Sequence, residues 1–322
     1  MSAPWITYRP ELKVLDCTIR DGGLVNSHAF DDDLVSAVHH ACVEGGIDYM
    51  EIGYKASKKL FAPGNFGDWK FCDEDHMRRV LGENDSPLKI AAMADAEKTD
   101  YHEDILPADQ SVLDVIRVAT YVHQLPIAVD MIKDAADKGY EVTCNVMAIS
   151  IAQEAEIDQA LEVLRETPVG TVVVVDSFGA LYGEQVGRLV DKYRSALEGT
   201  GKEVGIHAHN NQQLAFANTI ESIIHGANRI DATVAGMGRG AGNCPMELLI
   251  GFLRNPTYRL RPFLEVLEKY FVPLQEKLKW GALVPYNITG QLNQHPRSAI
   301  AMVEGDEGNN YVEFYDKLVA DL

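Results

Sequence analysis

The chain has 322 residues, 46% hydrophobic and 24% charged, and its 29 basic and 48 acidic residues leave a net charge of −19. This is a globular composition with room for one large domain or two ordinary ones. The negative charge excludes nonspecific nucleic-acid binding and adsorption to an anionic membrane.

No apolar run approaches 18 residues, and the opening MSAPWITYRP has no signal-peptide pattern. The five cysteines, Cys17, Cys42, Cys72, Cys144 and Cys244, lie far apart without a C-x-x-C pair. They read as reduced thiols, so a cytoplasmic protein is expected. The first β-branched run, 12–18 (LKVLDCT), leads through IRDGG into a helix expected at 31–44. Asp31, Asp32 and Asp33 suit the positive end of that helix. A second run, 47–54 (IDYMEIGY), precedes a long loop with Gly and Pro and a helix at 73–81. Runs at 88–94 and 112–119 follow, the latter leading into a helix from about 126 that stops before Gly139. Next come a run at 141–148 with a helix at 152–165, the block TVVVV at 171–175, and runs at 204–209 and 229–235.

Continuous apolar strands are those buried on both faces of a parallel sheet. Eight runs alternating with helices over roughly 240 residues predict an α/β chain folded as a (β/α)8 TIM barrel at 10–255. A doubly wound open sheet is the alternative, but no G-x-G-x-x-G follows the first strand. Beyond Pro256 the pattern becomes helical. Leu264, Leu267, Phe271 and Leu274 recur at helical spacing within 259–280, and a last helix is expected at 310–322. Residues 256–322 therefore read as a short C-terminal helical extension, through which homo-oligomerisation is expected.

Barrel enzymes carry their chemistry at the C-terminal ends of the strands. Those ends hold Arg20 and Asp21 (first), Glu51 and Tyr54 (second), Asn145 (fifth), Asp176 and Ser177 (sixth), and His207 and His209 (seventh). Beyond the eighth lies GMGRGAGN, ending in Asn243. His207 and His209 are two apart on a strand, so both rings share one face, with Cα atoms roughly 6.5 Å apart. With Asp21 they offer two imidazoles and a carboxylate, leaving positions on an octahedral ion for water and substrate oxygens. Such ligation suits Mn²⁺, Mg²⁺, Co²⁺ or Zn²⁺, and Asn243 can add an amide oxygen. The fork of Arg20 suits a carboxylate or a developing oxyanion.

The segments LDCTIRDG (15–22), GIHAHNN (205–211) and GMGRGAGN (236–243) stand in this order. Together they resemble the DRE-TIM metallolyase superfamily, the HMG-CoA-lyase-like or pyruvate-carboxyltransferase-like barrels, over about 10–255. The resemblance implies a divalent metal, Mn²⁺ foremost, held by Asp21, His207 and His209 with Asn243 at or beside it. It implies that Arg20 stabilises an enolate, that Glu51 orders the arginine and metal shell, and that Ser177 contacts the substrate, with Asn145 as a second substrate-binding residue.

In appearance the closest branch is the 4-hydroxy-2-oxovalerate aldolases, which implies a 2-oxo acid substrate split into pyruvate and an aldehyde. It also implies an acylating aldehyde dehydrogenase as partner. The alternative is an acyl-CoA-dependent Claisen synthase or an HMG-CoA-lyase-like enzyme. Against it, 236–242 contains no cysteine, Cys244 reads as a packing residue, and no CoA-phosphate cluster is evident. A long regulatory region like that of the synthases is also missing.

The aldolases carry a catalytic histidine three residues past the metal aspartate, where this chain has Leu24. His28 and Tyr286 are the substitutes as acid/base, although an exposed loop is the plainer expectation for His28. The loop at 54–75 reads as a lid with Lys55, Lys58 and Lys59 attracting an anionic substrate, or as a solvated loop. His295 and Arg297 either reach the mouth of the site or cap a helix. His39, His40, His76, His102, His123 and His225 receive no role. A noncatalytic barrel is a third reading, against which the joint presence of Arg20, Asp21, His207 and His209 argues.

Overall fold

A computed structural model describes residues 9–82, 84–305 and 310–320. Eight strands form: β1 Lys13–Asp16, β2 Tyr49–Tyr54, β3 Lys89–Asp95, β4 Val115–Thr120, β5 Glu141–Val146, β6 Thr171–Asp176, β7 Glu203–Ala208 and β8 Arg229–Ala232. Each pairs in parallel with its successor, and β8 returns to β1 with Ala232 opposite Asp16. The sheet is thus a closed barrel, and the open-sheet alternative falls. Every residue of β6, TVVVVD, is buried. Each such Val stabilises the fold by about 1.5–3 kcal/mol relative to exposure.

The first run ends earlier than its β-branched composition implies. The Asp16 carboxylate accepts hydrogen bonds from Thr18 N (3.1 Å) and Thr18 Oγ1 (2.6 Å), which turns the chain out of β1. A five-residue helix follows, α1 Thr18–Gly22, and carries Arg20 and Asp21.

The outer helices are α2 Asp32–Gly45, α3 Glu74–Leu81, α4 Leu125–Asp137, α5 Glu154–Arg165, α6 Gly183–Ala196, α7 Ala215–Ile224 and α8 Met246–Leu253. Between β3 and β4 there is only a 3-10 turn, Ala108–Gln110. At the end of α2, Gly46 has φ of 70°, and a Cβ there would collide with the Thr257 carbonyl.

Outward-facing strand residues such as Val14, Met50 and Val172 join the helices in the main apolar core. The barrel interior is layered. Leu15, Cys17, Tyr49, Ala91 and Val115 form an apolar layer. Below it, Arg229 pairs with Glu141 and Glu203. Above it the interior turns polar.

The helix expected over 259–280 is interrupted. α9 Arg261–Val266 runs through a π-helical segment at Leu267–Phe271 into α10 Val272–Gln275. Three further helices follow: α11 Val284–Gln291, α12 Arg297–Glu304 and α13 Tyr311–Ala320. Residues 321–322 of the expected last helix, and residues 1–8 of the N-terminal reading, lie outside the described residues. The extension meets the C-terminal rim of the barrel, where Asn287 Nδ2 donates to Asn211 O (2.6 Å) and Asn293 Nδ2 to Ser150 O (3.0 Å). Among the described residues no helix is long and apolar enough to cross a membrane.

Candidate metal centre and its cavity

A cavity of about 210 Å³ opens at the C-terminal end of the barrel, and Arg20, Asp21, Asn145, Ser177, His207 and His209 are on its wall. All six are buried. His207 ends near the top of β7 and His209 lies just past it, their rings 5.0 Å apart edge to face. From α1, Asp21 brings Oδ2 to 3.4 Å from His207 Nε2 and 4.0 Å from His209 Nε2. The three ligand atoms lie within 4.8 Å of one another.

These residues fit a divalent ion on grounds of chemistry. His207 Nε2 and Asn243 Oδ1 are buried without a hydrogen-bond partner, and Asp21 Oδ1 has only the ion pair with Arg20 Nη1. Orphaned buried polar atoms are costly, and a ligand shared with the Asp21 carboxylate accounts for the bare His207 Nε2. Asn243 Nδ2 donates to Asp21 Oδ2 (2.5 Å) and Met237 O (3.1 Å), so the amide also orients the carboxylate. Burial alone would raise the Asp21 pKa, but Arg20, His209 and His207 together hold it well below the usual carboxylate range. Burial pushes His209 well below its ordinary value, so its imidazole is neutral and free to ligate.

Beneath the centre lies a charge network in which Arg117 and Asp231, not foreseen from the sequence, join the expected Glu51 and Arg20. Asp231 Oδ2 stands 3.0 Å from His207 Nδ1, the carboxylate–histidine arrangement that directs Nε2 toward a metal. Burial opposes protonation of His207, yet its bonds to Asp21 and Asp231 raise its pKa. Arg117, 1% exposed, donates to Asp231 Oδ2 (2.6 Å) and Glu51 Oε2 (2.8 Å). Glu51 in turn accepts from Arg20 Nε (2.7 Å), while Arg20 Nη1 lies 3.1 Å from Asp21 Oδ1. Two arginines thus face three carboxylates, an excess of negative charge that a divalent cation offsets. Two signals for this network were present in the sequence: Arg117 interrupts the apolar run VIRVA, and Asp231 interrupts RIDA.

The other expected residues fall differently. Ser177 Oγ accepts from Ala148 N (2.8 Å), and Asn145 Oδ1 accepts from Thr143 Oγ1 (3.3 Å). His28 is not in an exposed loop. It is 2% exposed, packs against Gly23 and meets the Tyr54 ring edge to face at 5.3 Å. Burial, with Lys70 and Arg20 nearby, lowers its pKa to about 3. Tyr286 is buried with Ala241 and Ala299, and burial raises its pKa to about 12. Neither side chain is on the cavity wall, whereas Leu24 is.

The loop lysines are engaged elsewhere: Lys55 with Cys72 O and Glu74, Lys58 with Asp73, Lys59 with Asp100 and Glu103. The same loop instead places Lys70 on the cavity wall. His295 accepts from Arg239 Nη1 (3.2 Å), so the extension reaches a wall residue. Cys244 is fully buried in the main core.

Comparison with known proteins agrees with this geometry. A solved structure, the N-terminal domain of a Bacteroides vulgatus protein provisionally described as an aldolase, superposes with a TM-score of 0.81 at 29% identity, covering 97% of this chain and 100% of that one. Oxaloacetate decarboxylase of Mycobacterium tuberculosis is 30% identical over 75% of this chain and 69% of its own length. A 4-hydroxy-2-oxovalerate aldolase of Bacillus thuringiensis is 29% identical over 85% of this chain and 80% of its own. The model of the HMGL-like family matches residues 11–260. With that match spanning the whole barrel, the chain belongs to the HMGL-like family of DRE-TIM barrels.

Proposed function

We propose that the protein is a divalent-metal-dependent carbon–carbon lyase of the aldolase type, converting a 4-hydroxy-2-oxo acid to pyruvate and an aldehyde. The observation that carries this is the convergence of Asp21, His207 and His209, with His207 Nε2 unpartnered, beside a buried arginine on one cavity wall. Asp21, His207 and His209 would hold the ion, Mn²⁺ by preference, and a bound ion supplies Lewis-acid polarisation of the 2-oxo acid. The cavity's volume lies below the about 300–1,000 Å³ of sites for drug-sized ligands, which favours a short acid over a CoA thioester.

The bond changes balance without a further reactant. The C4 hydroxyl loses its proton and becomes the aldehyde carbonyl as the C3–C4 bond breaks. The electron pair enters the C2–C3 enolate, and a proton returns to C3 to complete pyruvate. Arg20 serves the developing enolate oxygen. Its Nε is held by Glu51 and its Nη1 by Asp21, while Nη2 has no protein partner among the described residues. A guanidinium fixed in this way stabilises charge without reorganising. Ser177 and Asn145 are assigned to the substrate.

His28 and Tyr286 are our acid/base candidates for the hydroxyl proton. His28 lies against Gly23 and Tyr286 packs beside Gly240, so a side-chain or backbone shift is needed before either meets the substrate. The same reading includes an acylating aldehyde dehydrogenase partner and self-association through the C-terminal helices. Pyruvate release from racemic 4-hydroxy-2-oxo acids, with Mn²⁺ and after chelation, tests the proposal. Metal-dependent release supports it. No release in either condition, and no aldol addition of pyruvate to any aldehyde in reverse, overturns it.

A further inference from the structure

Lys70 is 8% exposed, yet no acidic side chain pairs with it among the described residues. Its ammonium is held by aromatic rings, 4.5 Å from the Tyr54 centroid, 4.6 Å from Phe61 and 5.7 Å from Phe66. Ring faces stabilise a cation without neutralising it. Burial lowers the Lys70 pKa, Asp95 raises it and the Lys98 charge lowers it further. Among the described residues Arg239, also on the wall, contacts only neutral acceptors, Ser177 O (3.0 Å) and His295 Nε2 (3.2 Å), and its Nε is buried without a partner.

By contrast, Lys98 on the same wall is already matched by Asp95 at 3.0 Å. A chain with a net charge of −19 therefore keeps two uncompensated cations on one small cavity. Buried charge of this kind is costly unless a ligand of opposite sign completes it.

Distance limits that ligand to a short one. Lys70 Nζ and Arg20 Cζ lie 4.5 and 6.0 Å from the same Tyr54 centroid, hence at most 10.5 Å apart. A four- or five-carbon acid with an anionic group at each end is short enough for that limit. With the 2-oxo end at Arg20, the far anionic group lies on the side of Lys70 and bonds it at about 2.9 Å. Phe61, Met93 and Met147 provide an apolar wall for the carbons between.

We propose that Lys70, assisted by Arg239, binds a second anionic group of the substrate, so that the enzyme acts on dianionic 2-oxo acids in preference to those with an alkyl end. This rests on the lyase reading above. Lys70 is assigned as a specificity residue and takes no part in the bond changes.

Steady-state pyruvate release with Mn²⁺ is measured for 4-hydroxy-2-oxopentanedioate and 4-hydroxy-2-oxopentanoate, using wild type, Lys70→Met and Lys70→Arg. In parallel, calorimetry measures binding of 2-oxoglutarate and 2-oxobutanoate to the Mn²⁺-loaded proteins. Wild type is expected to prefer the diacid in both assays. Lys70→Met should raise KM for the diacid by about 10- to 100-fold, as expected for loss of a charge-assisted bond, with kcat and the monoacid little changed. Lys70→Arg should restore most of the preference. Equal loss on both substrates, a loss confined to kcat, or wild-type binding without preference overturns the inference. If wild type releases pyruvate from neither substrate, the lyase reading fails. The subsite then stands or falls on whether the 2-oxoglutarate preference exists and is lost in Lys70→Met.

Discussion

Replacing Arg117 by Met tests whether the site rests on a buried charge network. Arg117 donates at 2.8 Å to Glu51 and at 2.6 Å to Asp231 inside the barrel, and neither carboxylate is more than 4% exposed. Methionine nearly fills the arginine stem but leaves both carboxylates facing each other, with Asp21 close by. Removing one partner of a buried ion pair costs about 3–5 kcal/mol, because the remaining charge stays desolvated. Urea unfolding followed by circular dichroism measures this, first with chelator and then with saturating Mn²⁺. The loss should be smaller with Mn²⁺, because the ion restores positive charge beside the same carboxylates. A loss below about 1 kcal/mol, the range of an exposed pair, would refute the reasoning and mean that water screens the network.

Three further outcomes follow from the site. Asp231→Asn keeps the shape but weakens the partner of His207 Nδ1, and should lower Mn²⁺ affinity about 10- to 100-fold by calorimetry. Unchanged affinity would remove Asp231 from the metal shell. Arg20→Met should lower kcat by about 10²–10³, the range for losing one preorganised oxyanion donor. Mn²⁺ binding persists in that variant, and a loss seen only in KM would contradict the role. Gly242 has φ of 83°, and a Cβ there would collide with Gly236 O, so Gly242→Ala should destabilise the loop carrying Asn243 by about 1–3 kcal/mol in thermal unfolding. A wild-type melting temperature would show that the loop yields.

The barrel was legible because short apolar runs alternate with helix-period segments, and the plainest of them, TVVVVD, has every side chain buried. The interval between β3 and β4 contains only a short 3-10 turn, so strict alternation overstated the regularity there. The early end of β1 was hidden because Asp16 closes a turn with Thr18 inside a run that otherwise looks extended. Among site residues, the H-x-H pair carried its own geometry, since two strand positions i and i+2 share a face. Asp21 became part of the same site only once β1 and β7 stood on either side of β8.

Arg117 and Asp231 were visible as charges inside apolar runs, but nothing local says that they meet. Their encounter requires barrel closure, as does their link to Glu51. The loop at 54–75 did supply a lysine to the cavity, though Lys70 and not the KASKK cluster. The earlier lysines are satisfied by acidic neighbours distant in sequence, such as Asp100 and Glu103, whose proximity no local pattern reveals.

The central claim is that Asp21, His207 and His209 hold a divalent ion at the cavity wall. Anomalous diffraction from crystals grown with Mn²⁺ and oxalate tests it most directly. The account predicts an Mn²⁺ peak bonded to the Asp21 carboxylate, His207 Nε2 and His209 Nε2, with oxalate oxygens at open positions beside Arg20. Oxalate bound in the cavity without the ion, or an Mn²⁺ peak away from these three residues, would contradict it.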